Sequence, residues 1–398
     1  MSLDAVAREY VLLVLALGEH DSDYVDAYYG PAEWRAEAAG WTLATIRTRA
    51  ETTREAVEGF SDARGTFLAK QLDALLARVD MLSGVRTTFD EESAALYDVV
   101  APSRPDTEYA ETVARLEEAL PGEGPRGERF ERLRARFHVS PERLPAVFDA
   151  AIEEARSRTK AWIGLPEGES FRTEYVKDRV WGAYNWYEGD ARSLIQVNTD
   201  TPTTPDGALH LACHEGYPGH HVYNALLESR LARGKGWVEF TVYPLYSPQS
   251  LIAEGTAEYG VDLCFPREER LRFERETLLP LAGLDPEGLD AYVRARELAE
   301  GLSGASNDAA RRYLDGVWSR EETVEWLVAH TLATPERAAR SLRFVEHNRS
   351  YVVTYGVGRA MVRDYVEARA TTPEDRWAVF ERLLSTPQTP SGLRAVVE

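Results

Sequence analysis

The sequence predicts a mainly α-helical fold with a small β-sheet, and three observations lead there. Apolar residues recur at helical spacing near the N-terminus, from Asp4 to His20 and again from Thr66 to Leu82 with Phe67, Leu72, Leu75 and Leu76. Several segments open with a capping residue, a proline and a glutamate, the chemistry of a helix start. Strand-like alternation is confined to one short stretch after residue 160.

Taken in order, the apolar run Val11 to Gly18 is short and preceded by acids as well as an arginine. It reads as a core helix rather than a signal peptide or membrane span. The tyrosine-rich and acidic segment His20 to Trp34 reads as a helix junction broken at Gly30-Pro31. Ser140-Pro141-Glu142, Asp285-Pro286-Glu287, Thr334-Pro335-Glu336 and Thr372-Pro373-Glu374 each mark a helix start, the glutamate complementing the positive end of the helix dipole. Pro121 to Gly127 is the candidate joint, with helices on either side that can share one body. Around residue 160 turn residues and aromatics take over. Ser193 to Asn198 sets Leu194, Gln196 and Asn198 against Ile195 and Val197, as a strand does. The expected division is an N-terminal helical lobe over residues 1–160 and a metal-binding catalytic lobe over residues 161–398, together forming one compact unit.

Composition excludes several classes. A chain of 398 residues with 44% hydrophobic residues buries a sizeable core. A formal net charge of −20 argues against nucleic acid and anionic membranes as partners and permits cationic or neutral substrates. Two cysteines, Cys213 and Cys264, are too few for a disulfide framework, which suits a cytoplasmic protein. Cys213 adjoins His214 but points about 100° away on a helix, so it reads as a small buried residue.

Chemistry concentrates in Leu211 to Tyr223, which holds three of the eight histidines. His214-Glu215 resembles the opening of a zinc-hydrolase helix, where one imidazole binds a metal and the adjacent carboxylate works on water. The usual second histidine, at i+4, is replaced by Pro218. On a straight helix His220 would be rotated by about 120° and His221 displaced by about 10 Å along the axis. A two-residue insertion at Pro218-Gly219 instead puts His220 in the missing role. His210 and His214 are themselves i and i+4 and form a rival pair needing no insertion. No GxSxG element supports a serine nucleophile.

HEGYPGHH resembles the HExxPGHH motif of the bacterial domain-of-unknown-function family 885, which is similar to the gluzincin metallopeptidases. Asp23 to Pro31, Ile252 to Gly260 and Arg349 to Met361 fit the same resemblance, so it spans most of the chain. It implies a gluzincin-like helical metallohydrolase with a cleft between two lobes, and an edge strand beside the active-site helix, the place of Ser193 to Asn198. It also implies a third ligand from a second helix: Glu254, with Glu258 one turn later as a supporting or exchanging residue and Asp262 beyond. The tyrosines or aspartates of Asp23 to Pro31 would face the cleft. The chain departs from the family pattern EGWALYxE at Thr256 and Val261.

The expected site has one zinc ion on His214, His220 and Glu254, with His221, His210 and Glu258 as alternates; Mn2+, Co2+ or Fe2+ accept similar donors. Glu215 is the general base. Arg349, Tyr351 and Tyr355, with His347 behind them, are candidates to stabilise an oxyanion, and Trp181, Tyr184, Trp186 and Tyr187 to line the cleft. The substrate would be a peptide or small amide. Two other readings stand beside the peptidase: a metal enzyme acting on a non-peptide amide or by lyase chemistry, and a noncatalytic metal-binding helical protein. Gly356 and Gly358 do not form a phosphate loop, for no lysine-serine or third glycine follows at the required distance.

Overall fold

The first helix, Leu3–Gly18, is unbroken from Val11 to Leu17 in its burial because neighbours cover every side of it. Helices Leu43–Val57 and Ala63–Leu82 pack against it, and Phe67, Leu72 and Leu75 join the same core, while Leu76 is only half-buried. The protein is described by a computed structural model covering residues 1–179 and 181–395. It is mainly helical with two small sheets. The principal core draws on residues from Val6 to Leu393, so segments on both sides of residue 160 are buried together. A second core is built by Tyr109, Leu116, Phe130, Leu133, Tyr292 and Trp326 among others. Both helices flanking Pro121 to Gly127 contribute to it, and the Arg126 guanidinium ties that joint to the carbonyls of Val328, Ala329 and Thr331. Among the described residues no helix is long and apolar enough to cross a membrane.

Strand β1 (Val25–Tyr28) falls where a helix junction was expected, and pairs antiparallel with β5 (Val242–Pro244). Strands β2 (Ser170–Val176), β3 (Ala183–Gly189) and β4 (Arg192–Asn198) form the other sheet in the order β2-β4-β3, parallel then antiparallel. Ile195 and Val197 are fully buried, matching the alternation in the sequence. However, β4 is the central strand of its sheet and is not the edge strand expected at Ser193 to Asn198, because β2 supplies a parallel partner from upstream. The edge beside the candidate site is β3.

Thr334 and Thr372 cap their helices as their sequence context implies, each accepting from the backbone N–H three residues on. The other two starts are displaced. Pro141 and Pro286 lie in turns, and the helices begin at Leu144 and Leu289. At the second, Gly288 has φ +86°, a left-handed conformation that no helix can run through.

Two helices carry much of the site. Pro248–Cys264 starts after Ser247, with proline in its first turn, and Val353–Glu367 crosses it. They approach closely at Gly255 and Gly358, where a Cβ on Gly255 would lie 2.6 Å from the Gly358 carbonyl carbon. Gly358 is therefore a packing residue.

Candidate metal centre

The motif begins on a short helix, Pro205–Leu211, whose first turn is capped by the Thr204 hydroxyl. The helix then widens into a π-turn, Ala212–Gly216, that holds His214 and Glu215. The wider turn takes up extra residues per revolution: the Tyr217 amide donates to Ala212 O at 3.1 Å, and the Gly219 amide to Cys213 O at 2.9 Å. A new helix starts at His220 and runs to Leu227. Gly219 makes this return possible, for a Cβ there would stand 1.9 Å from His214 O and 2.5 Å from Cys213 O. No other residue fits.

The result sets the His220 ring edge-on to His214, with their Nε2 atoms 3.1 Å apart. From the helix Pro248–Cys264, Glu254 brings Oε2 to 3.4 Å from His214 Nε2 and Oε1 to 3.6 Å from His220 Nε2. Four ligands held tetrahedrally at about 2.1 Å from a zinc ion stand about 3.4 Å from one another. The three separations bracket that value. Glu254 Oε1 accepts from the Tyr351 hydroxyl at 2.9 Å, whereas Oε2 is buried without a hydrogen-bond partner. A buried carboxylate whose two oxygens each face an imidazole nitrogen, one of them without a hydrogen-bond partner, is an arrangement a cation satisfies.

A second set shares His214. Its Nδ1 lies 3.3 Å from Glu258 Oε1, and His210 Nε2 lies 3.4 Å from the same oxygen. His210, His214 and Glu258 also offer three donor atoms close together, so the two alternates suggested by helical spacing meet each other. The remaining alternate lies elsewhere. His221 is buried, its Nδ1 2.8 Å from Ser193 Oγ and its Nε2 3.2 Å from Glu169 Oε2, so both ring nitrogens are engaged away from Glu254. Asp262 leaves the acidic stripe to pair with Arg359 at 2.7 Å.

The electrostatics follow from burial and charge. Burial opposes a proton on His214, but the adjacent Glu254 and Glu258 carboxylates override it and hold its pKa well above the usual value. His220 is pushed down to about 4, by burial first and also by His214. Burial likewise raises Glu215 to about 7, with Glu254 and Glu258 adding to it. Glu254 and Glu258 resist their own burial and stay below the ordinary glutamate value through the facing imidazoles. The group is thus an anionic nest around two imidazoles.

These residues open onto a cavity of about 680 Å³. Tyr351, Tyr355 and His347 line it, as do Trp181, Tyr184 and Trp186. Tyr187 turns the other way and donates to Glu228. Arg349 is not among the lining residues; its Nε donates to Glu92 Oε2 at 2.7 Å. Cys213 and Cys264 are buried and unpaired. Asp23 and Asp26 of the N-terminal segment reach the cavity from β1 and the loop before it. Sequence reasoning missed Asn185, whose Nδ2 donates to Glu215 O at 2.7 Å, and Glu169, which accepts from Tyr217 at 2.6 Å. Their one visible signal is a polar residue at an inward strand position or beside a strand start.

No family model and no curated protein matches the sequence. Among solved structures the chain is similar to a protein of Colwellia psychrerythraea described provisionally as a lipoprotein, with a TM-score of 0.56 and 16% identity. The match covers 89% of this chain, which spans 66% of that one. A second similarity, to BsuCP, has a TM-score of 0.47 and 11% identity over 97% of this chain and 88% of the other. The first likeness bears on the fold alone, and the second is too distant to carry an argument.

Proposed function

We propose that the protein is a zinc-dependent hydrolase of peptides or related amides, with His214, His220 and Glu254 as metal ligands and Glu215 as general base. The observation that carries this reading is the trio of separations among His214 Nε2, His220 Nε2 and the Glu254 carboxylate, 3.1, 3.4 and 3.6 Å, with Glu254 Oε2 buried and unpartnered. The resemblance of HEGYPGHH to the family 885 motif supports it independently. Mn2+, Co2+ or Fe2+ would accept the same donors. A cytoplasmic location fits the two free buried thiols.

A zinc ion bound there supplies Lewis acidity and lowers the pKa of water. The chain supplies the rest. Glu215 follows His214 directly, lines the cavity and has its backbone carbonyl held by Asn185; in this reading its carboxylate takes a proton from the attacking water and returns it to the leaving amine. Tyr351 orients Glu254. Tyr355 is half-buried beside the carboxylates; burial of its hydroxyl first, with Glu254, Glu215 and Glu258 adding, raises its pKa well above the usual tyrosine value, so it stays neutral and available to donate to a developing oxyanion. Glu258 and His210, on the Nδ1 side of His214, orient that ring.

The test is Glu215→Gln. The variant retains zinc and loses roughly a hundredfold or more in turnover on peptides cleaved by the parent. Normal turnover would remove Glu215 from the role of base. Undiminished function with metal bound would favour a noncatalytic site.

A further inference from the structure

Every acid and every base lining the cavity can be counted, and the balance is one-sided. Asp23, Asp26, Glu215, Glu254 and Glu258 line it, with no lysine or arginine among the described lining residues. Four histidines also line it: His214 and His220 face Glu254, His210 lies 3.4 Å from Glu258, and His347 is paired with Asp23 at 3.1 Å. A substrate carboxylate entering here finds no fixed cation of the protein apart from a bound metal. An ammonium group finds several partners.

Two of those partners are polar and lie outside the metal ligands. Asp26 on β1 is half-buried, and its hydrogen-bond partner is the Tyr184 hydroxyl. Asn185 on β3 is only 8% exposed; its Nδ2 is committed to Glu215 O, and its Oδ1 is a buried acceptor with no partner. An unsatisfied buried acceptor on a cavity wall calls for a donor. The wall also carries aromatic faces. The Tyr184 ring lies 4.6 Å from Trp186, tilted by 42°, and 5.7 Å from Trp181, and Trp186 remains 43% exposed. Such faces attract a desolvated cation. Burial, with Glu254 and Glu215 nearby, pushes the Asp26 carboxyl up to about 7, and a bound cation reverses that.

We propose that Asp26, Asn185 and the Tyr184 and Trp186 rings form a subsite for a primary ammonium group of the substrate. Resting on the hydrolase reading above, this makes the preferred substrates peptides with an unblocked amine near the scissile bond, and not ones recognised by a free carboxylate. The ammonium can belong to an N-terminus or to a lysine-like side chain. Both share the chemistry of three N–H donors and one positive charge.

The experiment is calorimetric titration of full-length, zinc-supplied Glu215→Gln protein with phenylalaninamide, Nα-acetyl-lysinamide and N-acetylphenylalanine. An amine probe should bind at least tenfold more tightly than the carboxylate probe. Tighter phenylalaninamide identifies an N-terminus, and tighter acetyl-lysinamide a side chain. Asp26→Asn should remove most of that preference. Trp186→Ala alters an exposed side chain without disturbing the core, and should weaken amine binding several-fold. Equal or tighter binding of the carboxylate probe overturns the subsite. Equal hydrolysis by wild type of lysine-containing peptides with all their amines free and with all of them, N-terminal and side-chain, acetylated also overturns it while leaving the hydrolase intact; amine preference without any peptide turnover overturns the hydrolase instead.

Discussion

Gly255 and Gly358 bring two helices into backbone contact, and that contact sets the Tyr351 hydroxyl 2.9 Å from Glu254 Oε1. A Cβ on Gly358 would lie 2.8 Å from Leu251 O and 3.0 Å from the Gly255 Cα, against backbone that cannot swing aside. Gly358→Ala is expected to cost about 1–3 kcal/mol through overpacking. Denaturant unfolding measures it, and zinc affinity should fall with it because Glu254 shifts. Unchanged stability would mean the helices separate freely at this crossing.

Gly219 makes a second close approach, over the end of the π-turn. With Gly219→Ala the chain cannot return across His214 O, and His220 leaves the site. The expected outcome is loss of zinc with helix content by circular dichroism nearly unchanged, since only the restart at His220 moves. Full zinc binding in this variant would mean the second histidine comes from elsewhere.

Zinc uptake should release protons. His214 has a pKa held well above its ordinary value, so without metal it is charged at neutral pH, and ligation requires the neutral ring. Zinc affinity therefore rises with pH, with about one proton displaced per ion near pH 7. Calorimetry in buffers of different ionisation enthalpy counts it. Zinc binding without proton release would show that His214 is neutral beforehand.

Much of the helical framework was legible because apolar periodicity and caps act locally. Val11 to Leu17 reads as a core helix and is one. Thr334 and Thr372 cap where their neighbours say they should. The misses have non-local causes. Strand β1 spans only Val25–Tyr28 and exists because β5 lies beside it, far away in sequence. Ser193 to Asn198 showed a correct alternation, but alternation says nothing about whether a strand has one partner or two. At the candidate site, the missing i+4 histidine pointed to an insertion and Pro218 to a kink or bulge beside His214, whereas the form that bulge takes, a π-turn over Ala212–Gly216, is not specified by residue type. Arg349 illustrates the converse. Its type suits an oxyanion donor, yet its partner is Glu92 from a distant helix, which no local pattern announces.

The central claim is that His214, His220 and Glu254 hold one metal ion, and elemental analysis tests it most directly. Protein purified without added metal or chelator, then supplied with zinc, is compared with His220→Ala, Glu254→Ala and His210→Ala. The account predicts about one zinc per chain in the parent and in His210→Ala, and loss in the other two. Retention in His220→Ala with loss in His210→Ala would contradict it and move the site to the His210, His214 and Glu258 set.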